Sequence, residues 1–151
     1  MRLTKWTDYT LRVLMHCAAT QHRAHPLTIQ EIAERHAISR SHLMKIVMTL
    51  SALGWIESTR GRGGGIRLLV APEQLTLGQI LRETETDFDL VECFHDGTNT
   101  CRLTRRCSLK TVLEDALQRF LQVLDGVTLA DILPQPGAKA AVPIQTFFSS
   151  P

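Results

Sequence analysis

The chain has 151 residues and no apolar run long enough to cross a membrane. Its longest apolar stretch near the start, residues 13–19, is broken by His16 and preceded by charged residues, a poor match to an export signal. A cytoplasmic protein is therefore expected. Both common phosphate-binding fingerprints are also missing. The run GRGGGI lacks the final glycine of the dinucleotide pattern, and no Gly-Lys-Ser/Thr follows it. There is no internal repeat. Cysteine is sparse, at four residues, and no two stand at the C-x2–4-C spacing of structural zinc sites. An enzyme is not expected either. A cysteine nucleophile needs an oriented base, and His95, two residues from Cys93, has no evident orienting partner.

What is present fits a soluble globular protein, with 44% hydrophobic and 21% charged residues. The length suits one domain, or one domain with an appendage. The net charge of +2 hides a split between the halves. Residues 1–75 carry ten Lys/Arg against five Asp/Glu, whereas residues 76–151 carry seven against ten. A basic front half points to a polyanionic partner.

Periodicity then places the elements. Leu11, Leu14, Met15 and Ala18 repeat at helical spacing and predict a first helix over 7–20. Thr28 and Glu31 form a capping box that opens a short helix ending near His36, with Ile29, Ile32 and Ala33 inward. Ser39 caps a longer helix whose inward stripe is Leu43, Ile46, Val47, Leu50 and Leu53, closed by Gly54. Two strand-like runs, 55–59 and 66–71, flank a glycine-rich basic tip and predict a hairpin. Thr76 and Gln79 make a second capping box. An acidic stretch and a turn-rich segment follow. A helix over about 107–125 comes next, whose apolar stripe is wider than one small domain needs on its last helix; burial against a second subunit is a natural use for it. A capped turn at 128–133 leads into a loose tail over 134–151.

Helix, short helix, tight turn, longer helix and hairpin is the order of a winged helix-turn-helix, in which the helix after the turn enters the major groove. The expected fold is mainly α. It comprises a DNA-binding unit over 1–75 (helix-turn-helix about 28–53, wing about 55–71), and a cysteine-bearing loop with a long C-terminal dimerisation helix over 76–133. Double-stranded operator DNA is the expected partner. The candidate contacts are Thr28, Ser39, Arg40, Ser41, His42 and Lys45 around the recognition helix, and Arg60, Arg62 and Arg67 on the wing. The wing glycines would let the backbone approach the duplex.

Three of the four cysteines fall within VECFHDGTNTCRLTRRCSLK, spaced Cys93-x7-Cys101-x5-Cys107. Irregular loops can wrap iron–sulfur clusters, whose thiolate ligands have varied spacings. Arg102, Arg105 and Arg106 place positive charge among the sulfurs. Three thiols leave one ligand short, and a metal-free disulfide switch is the alternative reading. Cys17, beside Ala18 and Ala19, reads as a small buried apolar residue.

The start MRLTKWTDYTLRVLMHCAA, the run SRSHLMKIVMTLSALGWIESTRGRGGGIRL, the three-cysteine loop and LDGVTLADIL together resemble the winged-helix iron–sulfur transcriptional regulators of the Rrf2 type, over about residues 1–133. Some members of that family complete their ligand set with a histidine three residues after the last cysteine; here that position is Lys110. The nitric-oxide-sensing members are described as using an aspartate of the first helix from the partner subunit, and Asp8 matches it. The resemblance thus implies a homodimeric repressor. Its metal ligands would be Cys93, Cys101, Cys107 and Asp8, around a 4Fe–4S cluster, with a 2Fe–2S form as the alternative. Nitric oxide would be the effector and nitric oxide detoxification genes the targets; a sensor of iron or cluster supply is the alternative within the family.

Overall fold

The computed structural model describes residues 2–95 and 97–133. The expected loose tail and Asp96 lie outside the described residues. Among the described residues, five α-helices and one two-stranded sheet follow in the order α1 (Lys5–Ala19), α2 (Ile29–His36), α3 (Arg40–Ala52), β1 (Ile56–Thr59), β2 (Gly65–Leu68), α4 (Leu77–Thr84) and α5 (Ser108–Asp125). Among the described residues no helix is long and apolar enough to cross a membrane.

The local signals for these elements have visible partners. The Thr4 hydroxyl caps α1 by accepting from the Thr7 amide, so the helix starts two residues earlier than its apolar spacing predicts. Both capping boxes form: the Thr28 hydroxyl accepts from the Glu31 amide, and the Thr76 hydroxyl from the Gln79 amide, each with the reciprocal side-chain bond. Ser39 caps α3 as expected. At the other end Gly54 takes a left-handed φ of 72°; its amide donates to the Ser51 carbonyl while the Trp55 amide donates to Leu50. That pair of bonds is a Schellman motif, and it turns the chain directly from α3 into the wing.

One core runs through the molecule. It joins Val13, Leu14 and Cys17 of α1, Ile32 of α2, Leu43, Ile46 and Leu50 of α3, Ile56 and Ile66 of the wing, and Leu75, Ile80 and Leu129. The buried face of α1 is Thr7, Thr10, Val13, Leu14, His16, Cys17 and Ala18, so Leu11 and Met15 sit at its margin. Cys17 is buried, and desolvation pushes its thiol up to about 12, as suits an inert core residue.

The wing pairs Ile56 with Leu68 and Thr59 with Gly65 in antiparallel register. It does not float free, because Leu27 and Ile66 exchange backbone hydrogen bonds of 3.2 and 2.7 Å across an isolated bridge. Gly65 lies so close to that segment that a Cβ would come within 2.7 Å of the Leu27 carbonyl oxygen and of Pro26 Cβ. Part of the glycine run thus serves packing within the chain itself.

α4 packs against both α1 and α5. The Glu85 carboxylate, at the end of α4, accepts from the Thr4 amide at 2.8 Å and from its hydroxyl at 3.2 Å, tying the start of α1 to the entrance of the cysteine loop. The turn predicted over 128–133 is present, with the Asp131 carboxylate accepting from both the Thr128 amide and hydroxyl.

Candidate functional site

The recognition helix buries Leu43, Ile46, Val47 and Leu50 almost completely, and this fixes what faces outward. Arg40, Ser41, His42 and Lys45 are all exposed, as the spacing predicts. So are Met44 and Met48, at 52% and 70%, which the expected contacts leave out. His42 leans toward α1, its ring 6.2 Å from that of Tyr9. The hydroxyls of Thr28 and Ser39 are already committed to capping α2 and α3, so what they offer outward is position. At the wing tip Arg60 and Arg62 are exposed, on a turn whose Gly61 and Gly63 adopt φ of 99° and 81°. Arg67 is anchored differently: its guanidinium donates to the Ala24 carbonyl at 3.1 Å and helps hold β2 against the α1–α2 connection. Recognition helix and wing enclose a groove of about 310 Å³ whose rim includes Arg40, Met44, Met48 and Arg60.

The cysteine loop is ordered by its own polar side chains. The Glu92 carboxylate accepts from the Thr100 amide and hydroxyl, both at 2.6 Å, and these bonds hold its pKa below the usual carboxylate value. The Asn99 side chain accepts from the Cys101 amide at 3.0 Å, and the Thr104 hydroxyl donates back to the Cys101 carbonyl at 2.9 Å. All three cysteines are free thiols. Cys93 is buried in a 3-10 turn; Cys101 and Cys107 are half-buried. Cys107 takes the N-cap position of α5 and makes no side-chain capping bond there. An N-cap is the electropositive end of a helix and suits an anionic metal donor.

The donor set fits an iron–sulfur cluster in its chemistry: three soft sulfur donors in an irregular, hydrogen-bonded loop. Among the described residues no three His, Cys, Asp or Glu side chains converge closely enough to hold a metal ion. Asp8 stands in the first turn of α1 and is held by Arg12 in a bidentate pair, with N–O distances of 3.0 and 2.9 Å. Lys110, three residues after the last cysteine, pairs with Glu114 at 3.6 Å. His95 is exposed and within 3.2 Å of the Thr98 hydroxyl.

Sequence reasoning missed the clamps around these residues. Glu85, Glu92 and Asn99 are polar residues in polar stretches, with no periodicity to mark them. The two exposed methionines did carry a signal, since both lie off the apolar stripe of α3.

Comparison with known proteins agrees with this layout. The family model named Rrf2, described as iron-dependent transcriptional regulator, matches residues 3–135. A relative from Bacillus licheniformis named HTH-type transcriptional regulator NsrR is 49% identical over 133 residues, covering 88% of this chain and 92% of that protein. One from Streptomyces coelicolor named HTH-type transcriptional repressor NsrR is 38% identical over 136 residues, covering 90% of each. Among solved structures, T. potens IscR superposes with a TM-score of 0.68 at 25% identity, covering 87% of this chain and 85% of that one.

Proposed function

The chain belongs to the Rrf2 family and is a DNA-binding transcriptional regulator, and from that premise we propose that it is a cytoplasmic, homodimeric repressor that senses nitric oxide through an iron–sulfur cluster. The observation that carries the reading is the loop of three free thiols, Cys93, Cys101 and Cys107, in a chain 49% identical to a regulator named NsrR. With the cluster intact the dimer holds its operator; reaction with nitric oxide releases it, and the genes it controls are those of nitric oxide detoxification. A 4Fe–4S cluster suits three sulfur donors and one oxygen donor.

The cluster, when bound, supplies iron that reacts with nitric oxide, and an oxygen donor leaves one iron more weakly held than sulfur would. The chain's own residues do the rest. Glu92, Asn99 and Thr104 brace the loop that presents the sulfurs. Asp8, contributed across the dimer, is the fourth donor. To serve, its carboxylate must exchange Arg12 for the metal, an exchange made easier because both side chains are 45% exposed. α1, which carries Asp8, also packs against α2 and α3, so making or breaking that bond bears on the recognition helix. Two recognition helices must match half-sites about one helical turn apart. Small changes in their separation therefore reduce affinity at both.

The test is a titration of the anaerobic, cluster-bearing protein with nitric oxide while duplex binding is followed by anisotropy. Affinity should fall as the visible absorbance of the cluster is lost. Asp8→Ala should keep three sulfur ligands and a coloured protein, with an altered spectrum and a blunted response. Full affinity after complete reaction would remove nitric oxide as the signal. An iron-free, sulfide-free preparation that binds equally well would remove the cluster, leaving a thiol switch.

A further inference from the structure

The outward face of α3 holds an anomaly for a surface that meets a polyanion. Ser41, Lys45 and Met48 lie directly opposite the buried stripe, and Met44 lies between that line and Arg40. Met44 and Met48 are 52% and 70% exposed, whereas the exposed residues around them, Arg40, Ser41, His42 and Lys45, can all hydrogen-bond. Thioethers gain nothing from phosphates. In the major groove the apolar feature is the thymine C5-methyl group. Residues in the first turns of a recognition helix reach the base edges, and Met44 is the fifth helical residue, beside Arg40 and Ser41. Arg40 and Arg60 share its groove and Lys45 follows it on the helix, so its surroundings are basic and continuous with the DNA-facing surface.

We propose that Met44 is a specificity-determining residue that reads a thymine methyl group in each operator half-site. The inference rests on α3 being the helix that meets duplex DNA, and it is independent of which effector the cluster senses. Duplex DNA is the occupant of this apolar surface. Met48, one turn further from the helix start, does not choose the base.

The experiment uses the full chain, purified without air with its cluster, and a duplex enriched by it from a random library. Each thymine is replaced in turn by deoxyuridine, which removes one methyl group and leaves pairing intact. The wild-type protein should lose about fourfold in affinity at one thymine per half-site, the loss expected on uncovering one buried methyl group. Met44→Ala should bind the thymine duplex more weakly and show no further loss with deoxyuridine at that position. Met44→Leu should restore the sensitivity and Met44→Gln should not, while Met48→Ala keeps the wild-type profile. A profile identical in wild-type and Met44→Ala proteins overturns the proposal, as does a wild-type protein indifferent to deoxyuridine at every position. In both cases DNA binding itself stands. Enrichment of no duplex at all overturns the DNA-facing reading together with it.

Discussion

His16 and His36 are the residues whose chemistry is most altered by the fold. Their imidazoles stand edge to face, with His36 Nε2 3.3 Å from His16 Nδ1, at the contact between α1 and the end of α2. Burial first, and then the neighbouring His36, lower the pKa of His16 from 6.5 to about 4; Arg23 and Arg35 act in the same direction and Glu31 opposes them. His36 is lowered as well, by burial and then by Arg12 and Arg35, against Asp8. The folded chain therefore binds these protons less readily than the unfolded chain. The stability contributed by a neutral His16 is fully present above about pH 6.5 and drains away as the pH falls toward 4. The loss through His16 by pH 5 should be about 2 kcal/mol. Urea denaturation at pH 7.5 and pH 5 should show the wild-type protein losing that much more than His16→Gln. Equal losses would mean that the imidazole pair does not set the acid limit of the fold.

At the scale of elements, the wing depends on a close approach that Gly65 permits. Gly65→Ala puts a methyl group 2.7 Å from both Pro26 Cβ and the Leu27 carbonyl, neither of which ends a flexible side chain. The bridge between Leu27 and Ile66 must open or the strand must shift, at a cost of roughly 1–3 kcal/mol. Thermal unfolding should register the cost. Duplex binding should weaken with it, because the same strand carries Arg67 and leads back to Arg60 and Arg62. An unchanged melting temperature would show that the strand relaxes freely. The glycines were legible in the sequence as a turn with basic neighbours, but their packing against residues 26–27 was not, since it joins segments about 40 residues apart. Caps were the most legible feature: Thr28 with Glu31, Ser39, and Thr76 with Gln79 act within four residues, so local sequence contains both partners. The inward stripe of α1 was less legible, because its buried face includes Thr7, Thr10 and His16, polar residues that no apolar period reveals. In the cysteine loop the ligand types could be read, whereas the clamps by Glu92 and Asn99 depend on turn geometry with no repeating pattern.

For the molecule as a whole, the question is what covers α5. Its apolar stripe divides along the helix. Leu117 and Leu121 are buried within the chain, where α5 packs on α4, while Leu109, Val112 and Val123 on the adjoining edge are 63%, 63% and 66% exposed. Those three span about 21 Å of helix, the beginnings of an extended seam of the kind a second copy of the helix covers. Half-buried Phe120 lies between the two edges and would complete the apolar surface. A fourth donor from Asp8 across the dimer, as proposed above, would need such a pairing. The pairing would also double the DNA-reading surface, since a single recognition helix engages only one half-site. Leu109→Lys with Val112→Lys leaves the monomer core untouched, so the far-ultraviolet spectrum should not change. Sedimentation should then show the wild-type chain as a dimer and the variant as a monomer, and affinity for a two-half-site duplex should fall at least tenfold. A doubly substituted chain that still sediments as a dimer would place the subunit contact elsewhere and separate the α5 seam from the cluster chemistry.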